Sequence, residues 1–197
     1  MDPTHETVAG EHTQGAHVIA LLAAVRRGES GAADTLFSFL YPDLQRMAHS
    51  RLRRSGQLTL LDTTGLVHEA YLRLFKSGSL EAGDRAQFMA YAARVMRSVV
   101  VDFVRRRAAD RRGGDAVHVG LEESAGAVSD PRELEVVRID EALGELAAID
   151  ERLVRVVEMR YFAGMTEDQV AEALGRSRRS VTRDWEKARL FLAAALD

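Results

Sequence analysis

The chain of 197 residues contains no cysteine. That excludes disulfides, thiolate nucleophiles and every zinc site with cysteine ligands, and it suits a reducing cytosol. Proline is nearly as scarce, at Pro3, Pro42 and Pro131 only, so few helices need be interrupted. Aromatics make up 6% while Ala, Leu, Val, Arg and Glu dominate, a helical composition. There is no long apolar run. The longest, Val18 to Val25, is far short of a membrane span, and the polar stretch Met1 to Gly15 holds no apolar segment for secretion. A cytoplasmic, all-helical protein is expected, without a membrane-bound role.

Nor is there a large excess of charge. The net value is −3, which argues against indiscriminate nucleic-acid binding, but the charges are blocked along the chain. Arg94 to Arg112 holds seven arginines and two aspartates. Gly113 to Glu151 holds eleven acidic residues against Arg132 and Arg138. Arg176 to Arg189 holds six basic and two acidic residues. Two basic blocks separated by an acidic one are more informative than the total.

Apolar residues recur at helical spacing nearly throughout, and strand-like alternation is lacking. The spacing predicts a helix over about His17–Arg27, closed by Gly28. A second is capped by Ser30 and broken or restarted at Pro42. A third spans about Thr64–Lys76, with Leu66, Val67, Ala70, Leu72, Leu74 and Phe75 as its apolar content. The longest, capped by Asp84, runs to about Arg112. Ser55–Asp62 and Ser77–Gly83 read as loops. Gly113–Asp130, rich in glycine and acid, reads as a flexible linker. Helices follow over about Arg132–Ala148, Asp150–Phe162, Glu167–Leu174 and Arg178–Ala195, with Pro131 opening the first. The expected organisation is a disordered tail (1–16), an N-terminal helical bundle (17–112), an acidic linker (113–130) and a C-terminal four-helix domain (131–197).

The most specific motif begins at Thr166. Thr166 caps a helix whose first turn carries Glu167 and Asp168. Val170 and Leu174 bury one face, and Ala171 is small where a second helix must cross. Gly175 can take the left-handed conformation of a sharp interhelical turn. Ser177 caps the next helix, and Val181 and Trp185 turn inward. This is a helix-turn-helix, whose second helix enters the major groove by its N-terminal residues. Arg178, Arg179, Ser180, Thr182 and Arg183 are its leading or outward side chains. Arginine can bind guanine O6 and N7 bidentately, whereas Ser and Thr suit phosphates or base edges. Lys187 and Arg189 lie further along, placed for backbone phosphates. In the other basic block the arginine-rich half of the long helix can track a DNA backbone.

An N-terminal bundle ending in an arginine-rich helix, an acidic linker and a helix-turn-helix domain together resemble the extracytoplasmic-function (ECF) group of RNA polymerase sigma factors. Three stretches carry the resemblance. Leu66-Val67-His68-Glu69-Ala70-Tyr71-Leu72-Arg73-Leu74 is similar to the helix that such factors press against the polymerase clamp. Phe88 to Arg97, continuing through Val101 to Arg107, is similar to the helix that melts and reads the −10 element. Arg160 to Thr166 and Arg183 to Arg189 are similar to the region that reads the −35 element.

The resemblance implies an alternative sigma factor that binds core polymerase at clamp and flap and directs promoter recognition, melting and initiation. It implies core contacts at Glu69 and Arg73, −10 contacts at Arg97, Ser98, Arg105 and Arg106, and −35 contacts on the recognition helix. Phe88 and Tyr91 read as core in preference to base-stacking residues. The factor is expected to be a monomer when free, open to an anti-sigma protein, with no cofactor, metal or catalytic residue. Gly65 and His68 stand where many members have an acid and a glutamine, and Ser98 where an asparagine is common. The linker, by its charge, could also cover a basic helix in the free protein.

Rival classes fare less well. His68-Glu69 begins like a metalloprotease motif, but position 72 is Leu where the second histidine should stand. No phosphate loop, dinucleotide loop or nucleophile elbow occurs. A stand-alone helix-turn-helix regulator needs a ligand, receiver or dimerisation domain upstream and leaves the first arginine block unexplained. An adaptor that binds only protein leaves both basic blocks without a role.

Overall fold

The computed structural model describes residues 4–54, 61–76, 82–111 and 131–197. Among these every regular element is helical, as expected. The linker 113–130, Arg112 and most of the two loops lie outside the described residues.

Helix α1 (Thr4–Arg26) ends in a Schellman motif: Glu29 N–H donates to Ala24 O at 3.1 Å and Gly28 N–H to Val25 O at 3.0 Å. Gly28 is at φ +72°, where a Cβ would be strained. The helix begins well before His17, the start expected from the spacing. Once Val18 and Leu22 are packed, adding turns to an existing helix needs no new nucleus.

Helix α2 (Ala32–Arg54) runs unbroken through Pro42, against the expected break. Leu36 and Leu40 before the proline, and Leu44, Met47, Ala48 and Leu52 after it, are buried in one core. Their burial outweighs the hydrogen bond that proline cannot donate. Helix α3 (Thr63–Lys76) is capped by Asp62, whose Oδ1 accepts from Gly65 N at 2.6 Å. Leu66, Val67, Ala70 and Leu74 of its apolar content are buried, whereas Leu72 is 56% exposed. Helix α4 (Arg85–Arg111) is capped by Asp84, which accepts from Gln87 N at 2.8 Å. Phe88, Ala92, Met96, Val100 and Val104 on α4 are fully buried against the other three helices.

Helix α5 (Pro131–Val157) bends at Asp150, which has extended backbone angles (φ −159°, ψ 102°). Asp150 Oδ1 accepts from Arg152 N at 2.9 Å and so caps the second segment, close to the two helices expected there. A π-helical turn (Glu158–Phe162) follows, then α6 (Glu167–Ala173) and α7 (Arg178–Leu196). Val156, Met159, Val170 and Val181 form one apolar cluster and Leu143, Leu146, Val157 and Ala188 another, with Trp185 packed against both. Helix α4 also meets this C-terminal group. Ala86 and Ala90 pack on its first cluster, while Val136, Val137 and Phe162 join the N-terminal core.

Candidate nucleic-acid interface

The helix-turn-helix is built from local hydrogen bonds that its sequence dictates. Thr166 Oγ1 accepts from Gln169 N at 3.2 Å, and Gln169 Oε1 accepts from Thr166 N at 2.9 Å, a complete capping box. Gly175, at φ +61°, ends α6 in a second Schellman motif, with Arg176 N–H donating to Ala171 O at 2.8 Å. Ser177 Oγ then accepts from Ser180 N at 3.3 Å and caps α7. Val170, Ala171 and Val181 are buried where the two helices cross, so α7 presents its other face outward.

On that face Arg178, Arg179, Arg183 and Lys187 are exposed. Arg178 is held toward α6 by Glu167 at 3.4 Å and Asp168 at 3.5 Å, so it starts paired rather than free. Ser180 is half-buried, its hydroxyl 2.9 Å from that of Ser177. Thr182 does not point outward as expected. Its hydroxyl donates to Glu167 Oε2 at 2.9 Å and lies 3.1 Å from Arg178 O. The Thr182 and Arg178 hydrogen bonds hold the Glu167 carboxyl below its usual value against a smaller opposing effect of desolvation.

The arginines of α4 divide into two groups. Arg106 is exposed. Arg97, only 14% exposed, is enclosed by the C-terminal half: it pairs with Asp140, and its Nη2 lies 3.0 Å from Glu158 Oε1. Arg105 reaches Asp140 at 3.4 Å and Arg107 reaches Glu133 at 3.1 Å. Ser98 is exposed and accepts from Arg73 Nη1 at 3.1 Å. Phe88 is core and Tyr91 is half-buried against it, in keeping with their reading as packing residues. On α3, Arg73 is bound within the chain, to Asp102 at 2.6 Å and Glu69 at 3.5 Å.

Several residues of consequence were not singled out from the sequence. Arg51 is 8% exposed, with its guanidinium carbon 4.2 Å from the centre of the Phe162 ring. Burial, with the Arg97 charge adding to it, lowers the Arg51 guanidinium to about 9. Asp184, 1% exposed on α7, faces Arg152 at 3.3 Å and Arg176 at 3.8 Å, so one acid of the basic block fastens the recognition helix to α5. Glu133 and Asp140 belong to the acidic block that reads as a total, and Glu158 lies beyond it. The seven-residue spacing of Glu133 and Asp140 already put them on one helix face.

No helix among the described residues is long and apolar enough to cross a membrane. No curated protein and no solved structure matches the chain. A family model described as "ECF sigma factor" matches residues 15–197, which spans α3, α4 and the whole helix-turn-helix. The chain therefore belongs to the ECF sigma factor family and has the role of an alternative sigma factor in transcription initiation.

Proposed function

We propose that the chain binds core polymerase as a monomer and specifies promoters through two separate DNA-reading surfaces. Residues 17–112 form the unit that docks on the clamp, with Glu69 and Arg73 on α3 as its contacts, and that meets the −10 element through Arg97, Ser98, Arg105 and Arg106. Residues 131–197 hold the flap and grip the −35 duplex, with Arg178, Arg179, Ser180 and Arg183 leading into the major groove and Lys187 on the backbone. Residues 113–130 join them.

One observation carries this reading. A helix-turn-helix capped at both helices leaves Arg178, Arg179 and Arg183 exposed at the start of α7, where a recognition helix meets base edges. The acids of α6 that hold Arg178 and Thr182 set the approach of these groups before DNA arrives, and phosphate or guanine replaces a surface pair of small net worth. Single-strand capture by α4 needs cations along the backbone, which its arginine comb supplies.

Gel filtration with sigma-free bacterial core polymerase tests the assembly. The chain should run as a monomer alone and co-migrate as one copy per core. A dimer that binds palindromic duplex and ignores core would overturn the reading in favour of a stand-alone regulator.

A further inference from the structure

Two of the three arginines assigned to the −10 element already have partners, while Arg106 is exposed. Arg97 is clasped by Asp140 and by Glu158, Arg105 shares Asp140, Arg107 holds Glu133, and Arg94 lies 4.0 Å from Glu158. All three acids come from α5 and the π-helical turn that follows it. A guanidinium enclosed by two carboxylates cannot at the same time meet a phosphate. We propose that in the free protein the acidic face of Glu133, Asp140 and Glu158 stands in for nucleic acid on α4, so that the single-strand surface is covered until the two halves of the chain part.

The covering face lies on folded helices of the C-terminal half; the acidic stretch 113–130, which composition would nominate, lies outside the described residues. Apolar contacts bring the halves together, through Val136 and Phe162 on the N-terminal core and Ala86 and Ala90 on the C-terminal cluster. The ion pairs fix their register. Buried pairs of this kind sit near balance between charge attraction and lost hydration, so the contact is specific without being strong. Arg51 adds a cost of its own: its Nε and Nη1 are buried without a hydrogen-bond partner. Parting the halves returns Arg51 to water and frees Arg97 and Arg105 together. A partner that gains from the open form can therefore displace the acids, and core polymerase, by the reading above, is such a partner.

The inference rests on the assignment of α4 to single-stranded DNA, and the test keeps the two apart. Because the chain has no cysteine, Ser38→Cys and Ala147→Cys place one fluorophore on each half, and energy transfer between them reports closure without any DNA. Asp140→Lys sets a cation against Arg97 and Arg105. Glu145→Lys, an exposed position on the same helix, makes the same change in net charge away from α4. Affinity for a labelled random-sequence single-stranded oligonucleotide is measured on each full-length chain at one salt concentration.

The expected result is high transfer in the native chain and in Glu145→Lys, and reduced transfer in Asp140→Lys. Oligonucleotide binding should tighten about tenfold in Asp140→Lys alone, the factor for a closed form holding roughly nine-tenths of the free chain. Equal transfer in the native and Asp140→Lys chains overturns the closure, whatever the DNA does. Reduced transfer with unchanged oligonucleotide binding overturns the covering role. Asp140→Asn, expected to act in the same direction by a smaller factor, replaces Asp140→Lys if circular dichroism shows that the reversed charge unfolds α5. Transcription by the native chain with core, run in parallel, registers a failure of the sigma-factor reading separately.

Discussion

Arg178 and Lys187 stand on the same exposed face of α7 and should fail differently when removed. Arg178 lies in the first turn, where a bidentate contact with a guanine edge is within reach. Arg178→Ala is expected to cost about 1–3 kcal/mol of promoter affinity and to relax one base position, whereas Lys187→Ala weakens all promoters evenly. Competition binding on a set of −35 variants separates the two, and an equal loss across that set for Arg178→Ala would count against base reading. Glu158 makes a second prediction. Burial raises its carboxyl above the ordinary 4.5, against smaller opposing effects of Arg97, Arg94 and Arg155. A raised folded-state value means that the folded chain holds this proton more tightly than the unfolded one. The associated stability is fully present below the ordinary carboxylate value and is lost as pH rises through the raised one. The native chain should therefore gain stability relative to Glu158→Gln as pH falls from neutrality toward about 5, a range set by ordinary carboxylate titration. Urea midpoints of the two chains read this directly, and parallel curves would contradict it.

The elements show which structural facts were local enough to be read from the sequence. Gly28, Asp84, Thr166, Gly175 and Ser177 act on backbone groups within a few residues of themselves, so the helix ends and the helix-turn-helix were legible as strings. Pro42 was not. Its local signal is a break, and it is overruled by leucines that pack against α3 and α4, which the local string does not contain. Nor does apolar character alone tell which side of α3 a residue faces: Leu72 is left on the exposed side. Thr182 lies in the right element, but its rotamer is set by Glu167 on the neighbouring helix. A capping box remains a testable unit. Thr166→Ala should cost about 1 kcal/mol, seen as a lower denaturation midpoint of the full chain, with DNA affinity falling only as far as α7 loosens on α6. No change in the midpoint would mean that tertiary packing alone holds α6.

Over the whole molecule, the charge blocks were visible as totals but their pairing was not. Composition gave two basic blocks and an acidic one. Only the fold shows that three acids of α5 and the π-helical turn close on α4 while the outer face of α7 remains exposed. Among the described residues, Arg97, Arg105 and Arg107 of the first block are paired with those acids. Arg178, itself paired with acids of α6, stands exposed with Arg179 and Lys187 on α7. Under the proposed assignment of α7 to duplex and α4 to single-stranded DNA, such an arrangement suits a factor whose strand-capturing helix works only on the enzyme. The most direct measurement is reconstituted transcription, with the purified chain and sigma-free core polymerase on a pool of genomic promoter fragments. Discrete new start sites sharing one pair of promoter elements, lost in the Arg178→Ala/Arg179→Ala double variant, are the expected result. No transcripts and no co-migration with core would contradict promoter specification by this chain.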